Sequence, residues 1–299
     1  MPVNEVQLNA YAKINLGLRI HEKRGDGYHN IETVFKIISL HDRVAIRLND
    51  RGGARLTCGL AGVPTDESNI MMKAVRSLEK KSDRPIHTDI HLEKHIPMGA
   101  GLGGGSSDAA AVLVALSRLL GLSLTGEELM HLGASLGSDV PFFVGFYLGH
   151  GATAKGQGRG EVLSYFRWPL TEHVVVVYPN VHVSTPWAYQ NFRTAIPSTV
   201  DTENERFNLT KRIESAILSA PLEKGLFFDN DFEYLVFREY PWIRTAQGVL
   251  VDLGAKVARM SGSGSTLYGL FDTVPEFETL RERLGDAAIF RCRFIDSVK

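Results

Sequence analysis

A glycine-rich segment in the middle of the chain constrains the fold more than any other feature. Residues 97–108 read PMGAGLGGGSSD and hold five glycines within seven positions. The preceding residues 87–96 alternate like a strand, and 106–120 are apolar nearly all round, as in a buried helix. A backbone without Cβ atoms that leads into a helix N-terminus can point several N–H groups at one anion. The segment therefore predicts a cradle for a di- or triphosphate.

The surroundings of the glycine segment disfavour its other interpretations. A flexible surface loop is disfavoured because such linkers seldom separate a strand from an apolar helix. A P-loop needs Gly-Lys-Ser/Thr, and no lysine follows these glycines. Gly99, Gly101 and Gly104 fit the dinucleotide pattern, but the acidic residues about 20 positions on begin a helix instead of ending a strand. A nicotinamide-dependent oxidoreductase is therefore the less favoured alternative.

Composition limits the partners and the location of the protein. The chain has 299 residues and a formal net charge of -1, which supplies no general field for nucleic acid or an acidic membrane surface. Its N-terminus lacks the basic start and apolar run of a signal peptide, and no apolar stretch is long enough to span a bilayer. Cys58 and Cys292 are expected to be free thiols. We expect a cytoplasmic protein that binds neither nucleic acid nor membrane, and its oligomeric state is not specified.

The order of predicted elements indicates an α+β fold. Strands and helices are mixed without strict βαβ alternation. Residues 165–172 carry Pro169 and few apolar residues, so we expect two domains, 1–168 and 169–299. Strands are predicted at 6–20, 33–49, 87–96, 173–179, 256–260, 266–271 and 288–294. Helices are predicted at 69–78, 106–120, 125–137, 209–219, 232–238, 241–253 and 275–284.

Four further sequence blocks stand in register with the glycine segment. They are AKINL at 12–16, RGDGYH at 24–29, GSDVPFF at 137–143 and SGSGS at 261–265. Together the five blocks resemble the GHMP kinases, a family that includes galactokinase, homoserine kinase, mevalonate kinase and phosphomevalonate kinase. The resemblance spans residue 10 to about residue 271 and is strongest to the kinase of a cytidine-diphosphate-linked alcohol in the non-mevalonate isoprenoid pathway.

The resemblance implies a fold, an activity and cofactors. The family combines a ribosomal-S5-domain-2-like N-terminal domain, which binds ATP, with a ferredoxin-like C-terminal domain, and its active site lies between them. With ATP and Mg²⁺, the chain is expected to phosphorylate the 2-hydroxyl of the cytidine-diphosphate-linked alcohol. Another GHMP kinase, of the mevalonate or homoserine type, is the main alternative. A catalytically silent ligand-binding relative is disfavoured, since a binder needs neither Lys13 nor Asp139.

Lys13 and Asp139 match the catalytic residues of the family. The resemblance makes Asp139 the base, or at least the group that orients the acceptor hydroxyl. Lys13 lies on a strand between Ala12 and Ile14, where pairing with Asp139 would offset the cost of burying its charge. From the residues alone, a turn aspartate before Pro141 and a solvent-facing lysine remain open. Asn15 shares a strand face with Lys13, so we expect it to face the acceptor.

The resemblance also assigns residues to the acceptor and to ATP. Tyr28 and Tyr189 are expected to sandwich the cytosine, with His29 at the base edge, although Tyr189 could be a packing residue and Trp187 the true stacker. Gly262 and Gly264 are expected to allow close approach to the acceptor or the phosphates. We expect ATP to contact Pro97, Gly99, Gly101, Leu102, Gly103, Gly104, Gly105, Ser106, Ser107, Asn69 and Lys94.

The metal ligands are left open by the sequence. Ser107 and Asp108 are both candidates, because hydroxyl and carboxylate oxygens suit Mg²⁺. An uncharged asparagine is expected at position 108 from the resemblance, so Asp108 departs from the pattern. Its carboxylate could bind the ion or cap the helix.

Overall fold

Two long paired strands form the centre of the first sheet. The computed structural model describes residues 4–195 and 229–297, and it begins with β1 (Glu5–Lys23) and β2 (His29–Leu48) in an antiparallel pair. The sheet continues with β3 (Ala54–Cys58), β4 (Thr88–Glu93), β5 (Thr153–Gln157) and β6 (Val162–Tyr165). The strand order is β3-β4-β2-β5-β6, with β1 beside β2, and β3 and β4 run parallel. One half of β2 pairs with β4 and the other half with β5, so β2 joins both parts of the sheet.

Four helices accompany this sheet. They are α1 (Ile70–Ser82), α2 (Gly104–Leu119), α3 (Gly126–Leu136) and α4 (Val140–Tyr147). Asn69 caps α1 by accepting a hydrogen bond from Met71 N, and a capping box between Thr125 and Glu128 opens α3. α2 is buried along most of its length and begins within the glycine segment, at Gly104. The core around α2 therefore fixes where its N-terminus points.

The second sheet has four antiparallel strands, with helices between them in the chain. It contains β7 (His173–Tyr178), β8 (Val257–Met260), β9 (Leu267–Phe271) and β10 (Ala288–Arg293), in the order β10-β7-β9-β8. The helices are α5 (Thr185–Ala195), α6 (Glu233–Glu239), α7 (Pro241–Asp252) and α8 (Phe277–Leu284). Of the helices in the described ranges, none is both long and apolar enough to cross a bilayer.

The two sheets share a buried apolar layer along β1. Ala12, Ile14 and Leu16 of β1 belong to one cluster with residues of the second sheet, among them Val174 and Tyr268. Single bridges also join Leu18 to Asn230 and Ile38 to Phe294. β1 thus lies between the two halves, and polar residues on it can face a cleft that both halves line.

The predicted α+β class is confirmed, and so are most of the predicted strands and helices. The chain leaves the first sheet after Tyr165 and enters the second at His173, while the predicted boundary at 168/169 stays a prediction. β3, β5, β6, α4 and α5 were not predicted. α4 is buried on all sides, so its sequence shows no helical alternation of polar and apolar residues. The helix predicted at 209–219 lies outside the described residues.

Candidate active site

The glycine segment forms a tight turn against the second half of the molecule. Gly99, Gly101 and Gly103 have φ values of 62°, 77° and 70°, in the left-handed region that favours glycine. A Cβ atom on Gly101 would lie 2.3 Å from the carbonyl oxygen of Ser261, so a side chain could not fit there. The turn ends at Gly103, which precedes the first residue of α2. Backbone N–H groups at this helix start can bind an anion.

A cavity of about 420 Å³, the glycine-loop cavity, lies along this turn. Asn69 and Lys94 also line it, together with Val63, Pro64 and Leu92. Nearly all residues that were predicted to contact ATP line this cavity: Pro97, Gly99, Gly101, Leu102, Gly103, Gly104, Gly105, Ser106, Asn69 and Lys94. Ser107 is the exception, because it is fully buried behind the turn and does not line the cavity.

Lys94 is held by two buried carboxylates at the edge of the glycine-loop cavity. Its Nζ lies 2.5 Å from Asp42 Oδ2 and 2.7 Å from Asp108 Oδ2. Burial by itself would lower the pKa of Lys94, but Asp108 and Asp42 raise it overall. Burial raises the pKa of Asp108, and the charge of Lys94 opposes this shift. Lys94 is therefore not a solvated strand lysine, and the Asp108 carboxylate is already engaged by a cation. Asp42 was not predicted.

Lys13 lies at the centre of a polar cluster next to the glycine turn. Its Nζ donates to Asn15 Oδ1 at 2.6 Å and to Gly101 O at 3.2 Å, and lies 3.3 Å from Asp139 Oδ2. Lys13 is 3% exposed, whereas the side chain of Asp139 is 27% exposed at the start of α4. The structure thus brings together the two residues that were predicted to be catalytic, with the carboxylate on the accessible side.

A second glycine turn, at Ser261–Ser265, closes over this cluster. Ser261 Oγ accepts from Asn15 N at 3.2 Å and donates to Gly101 O at 3.0 Å, which ties the turn to both β1 and the glycine segment. Gly262 lines the cavity described next. Gly264 does not line it, because this glycine packs against Met260, whose Sδ would lie 2.6 Å from an added Cβ atom.

A cavity of about 480 Å³, the acceptor cavity, extends from Lys13 and Asp139 to a group of aromatic rings. The predicted acceptor residues that line it are Asn15, Tyr28, His29, Tyr189 and Gly262. His29 and Tyr189 are stacked, with ring centroids 5.4 Å apart and planes 19° apart. Tyr28 is 55% exposed at the mouth of the cavity. The stacked pair in this structure is therefore His29 with Tyr189, while the sandwiching of the cytosine by Tyr28 and Tyr189 stays a prediction.

Three further residues bear on how the acceptor cavity is lined: Trp187, which was an alternative to Tyr189, and two residues that were not predicted. Trp187 does not line the cavity and contacts Tyr240 edge-on at 6.1 Å. Phe232 packs edge-on against Tyr189, with centroids 4.9 Å apart, and Arg159 lies over Tyr28. Neither Phe232 nor Arg159 was predicted. A glycine on each side of Arg159, at 158 and 160, was the one local sign of a turn that places it.

Comparisons with known proteins identify the family of this chain. The model of the GHMP kinases N terminal domain matches residues 69–145, and that of the GHMP kinases C terminal domain matches residues 213–289. A 4-diphosphocytidyl-2-C-methyl-D-erythritol kinase of Prosthecochloris aestuarii is 38% identical, over 98% of this chain and 97% of that protein. The enzyme of the same name from Chlorobium luteolum is 41% identical, over 93% of each chain.

A solved structure supports the same family. The crystal structure of a 4-(cytidine 5'-diphospho)-2C-methyl-D-erythritol kinase has a TM-score of 0.76 and 32% identity, and covers 96% of this chain and 99% of that chain. Both matching family models are kinase models, so the nicotinamide-dependent oxidoreductase is not supported. The chain is therefore an ATP-dependent kinase that belongs to the GHMP family, among the 4-diphosphocytidyl-2-C-methyl-D-erythritol kinases.

Proposed function

We propose that this chain transfers the γ-phosphoryl group of ATP to the 2-hydroxyl of 4-diphosphocytidyl-2-C-methyl-D-erythritol. One observation carries the proposal. The glycine-loop cavity and the acceptor cavity share Gly101 and Gly103 as lining residues, and Lys13 and Asp139 lie on the acceptor side of that junction. Two ligands bound in these cavities would meet beside a buried cation and an accessible carboxylate, as phosphoryl transfer requires.

On the donor side, the proposed ligand is ATP. The triphosphate is placed against the N–H groups of residues 101–106, at the positive end of α2. The adenine is then directed toward Asn69 and Lys94, which line the same cavity. Lys94 can hold this position without a ligand because Asp42 and Asp108 balance its charge.

At the junction, the acceptor oxygen attacks the γ-phosphorus while the bond to the bridging oxygen of ADP breaks. Asp139 accepts the hydroxyl proton or orients it, since its carboxylate is the accessible member of the pair. Lys13 is fixed by Asn15 and Gly101, so its charge can stabilise the transferring group without rearrangement.

Mg²⁺ is proposed as the second cofactor, and few protein oxygens at the junction could hold it. In the described residues no group of three or more His, Cys, Asp or Glu side chains forms a metal site. Asp108 fits poorly because Lys94 engages its carboxylate, and Ser107 is buried behind the turn. Ser106 fits better, since it lines the glycine-loop cavity beside the junction. When bound, the ion would neutralise phosphate charge, with most of its ligands from ATP and water.

On the acceptor side, the aromatic group suits a nucleobase. Tyr189 offers a ring face, and His29 and Tyr28 stand beside it. Such stacking contributes about 1–3 kcal/mol per base in nucleic-acid complexes. A cytosine would slide between these rings, so the His29–Tyr189 contact must open on binding. The cytoplasm is the proposed location, since both substrates are charged metabolites that do not cross membranes unaided.

Release of ADP with a panel of acceptors tests this proposal. We expect the cytidine-diphosphate-linked alcohol to give a kcat/KM at least about a hundredfold above those of mevalonate and homoserine, because neither presents a base to the rings. If mevalonate or homoserine were the better acceptor, the kinase would stand and the proposed substrate would fall.

A further inference from the structure

We propose that Arg159 recognises the diphosphate of the acceptor, and so selects an acidic nucleotide-linked alcohol over an uncharged one. The inference rests on the proposed function and adds to it a specificity-determining residue. Arg159 lies in the turn between β5 and β6 and lines the acceptor cavity.

The backbone around Arg159 is fixed from several sides. Gly158 and Gly160 have φ values of 68° and 112°, so the turn reverses sharply on each side of the arginine. Gly160 N donates to Gln157 O at 3.0 Å, and Gly158 O accepts from Ile31 N at 2.7 Å. Arg159 N donates to Glu161 Oε2 at 2.6 Å. The turn is thereby held against β2, and the arginine side chain starts from a defined position beside the cavity.

The side chain is directed at the base-binding end of the cavity. Its guanidinium carbon lies 4.9 Å from the centroid of the Tyr28 ring, and Nε lies 3.6 Å from Glu161 Oε1. The ring engages one face of the guanidinium and Glu161 engages the Nε edge. A guanidinium has five N–H donors in one plane, so the remaining edge can bind two oxygens of a phosphate together. The diphosphate is the group that follows the cytidine in the proposed acceptor.

The other charged residues of the acceptor cavity leave the positive charge of Arg159 available to balance the negative charge of the ligand. Among the described residues that line the acceptor cavity, the acidic and basic ones apart from histidine are Lys13, Asp139 and Arg159. Lys13 and Asp139 are paired with each other. Glu161 and Asp26 offset part of the positive charge of Arg159 from outside the cavity, and neither of these carboxylates lines it. An acceptor with a negative charge on each phosphate complements this surplus, whereas a neutral polyol does not.

Inhibition by CDP and by cytidine, competing with the acceptor, separates charge recognition from base recognition. We would measure both Ki values for the wild type, Arg159→Gln, Arg159→Lys and a control, Arg43→Gln. Arg43 is 52% exposed on β2 and loses the same charge away from the cavity. For Arg159→Gln we expect the Ki of CDP to rise about tenfold, from the loss of a charge-assisted hydrogen bond, and the Ki of cytidine to change less than about twofold. Arg159→Lys should recover part of the affinity for CDP, and Arg43→Gln should match the wild type.

Each outcome distinguishes the inference from the proposed function. If Arg159→Gln raised both Ki values equally, the arginine would merely support Tyr28, and the inference would be overturned. An unchanged preference for CDP over cytidine in Arg159→Gln would overturn it as well. If the wild type were inhibited by neither CDP nor cytidine, the proposed substrate itself would fail. The KM for ATP should stay constant in every variant, which reports that the donor side is intact.

Discussion

At the scale of single residues, Lys13 shows how a buried charge is kept in place for chemistry. An isolated ammonium group in an apolar interior costs several kcal/mol. Here Asn15 Oδ1, Gly101 O and the Asp139 carboxylate surround Nζ, and the Phe35 ring lies 5.3 Å away. Three of these four partners are themselves fixed by strands or by the glycine turn. The cation is therefore positioned before any ligand binds.

Tyr189 gives a test of base recognition at the same scale. Replacing Tyr189 by leucine should raise the KM for the cytidine-linked alcohol about tenfold and leave the KM for ATP unchanged, because one stacking face is lost. Trp187→Leu is the matched control, since Trp187 belongs to the same helix but does not line the acceptor cavity. Steady-state kinetics with each substrate varied would check this. If the two substitutions raised the KM for the acceptor equally, the result would argue that Tyr189 only packs the helix.

At the scale of elements, the phosphate binding proposed for the glycine segment depends on its backbone conformation. Gly103 combines a positive φ with close neighbours, because a Cβ atom would lie 3.0 Å from the Phe143 ring and 3.2 Å from Lys13 Cε. Gly121 has a similar φ of 60° and, by contrast, open space around an added Cβ atom. Alanine substitutions at these two glycines therefore separate the free-energy cost of the backbone conformation from the cost of crowding the site.

We predict that Gly103→Ala weakens ATP binding by at least about tenfold, because the turn must shift and move the N–H groups off the phosphates. Gly121→Ala should bear a similar backbone strain of about 1 kcal/mol and keep the affinity for ATP. Calorimetric titration with ATP, together with thermal melts of both variants, provides the measurement. A Gly103→Ala variant with normal ATP affinity would show that the phosphates bind elsewhere.

The segment before α6 connects β1 to the second glycine turn. Asn230 Nδ2 donates to Met260 O at 2.8 Å and to Gly262 O at 2.7 Å, and Glu233 Oε1 accepts from Met260 N at 2.7 Å.

Burial raises the pKa of Glu233 from 4.5 to about 7. The folded state therefore binds a proton more readily than the unfolded state, and this contribution to stability is lost as the pH rises toward and through about 7.

Glu233→Gln should remove that pH dependence, because glutamine keeps the acceptor oxygen without the titration. We expect the fall in melting temperature between pH 5 and pH 8 to be smaller in Glu233→Gln than in the wild type, within the window from 4.5 to about 7 set by the two pKa values. Asp108, whose pKa is also raised, adds a fall of the same sign to both proteins and cancels in the comparison. Glu239→Gln, an exposed change in the same helix, is the control. Parallel melting curves at all pH values would contradict the assignment.

At the scale of the whole molecule, local patterns predicted the long elements and the glycine cradle. The glycine segment carried a strong local signal, whereas Lys13 and Asp139 were assigned to the same site by the resemblance of their sequence blocks to the GHMP kinases, and their roles remain proposals. Asp42 and Arg159 could not be found in this way, because a single charged residue carries no periodic signal. Asp42 bonds Lys94 across 52 positions, and Arg159 meets Tyr28 only because the first sheet pairs β5, the strand before Arg159, with β2. Such contacts depend on the tertiary fold.

The central claim is that the Lys13–Asp139 pair, at the junction of the two cavities, directs the γ-phosphoryl group to the acceptor hydroxyl. ³¹P NMR of the reaction with ATP, Mg²⁺ and 4-diphosphocytidyl-2-C-methyl-D-erythritol tests it most directly. We predict that the wild type forms ADP and a new phosphomonoester in equal amounts. Asp139→Asn should form both about 10²–10⁴ times more slowly, with ATP affinity unchanged. ADP without a matching phosphomonoester, or an Asp139→Asn variant as fast as the wild type, would contradict the account.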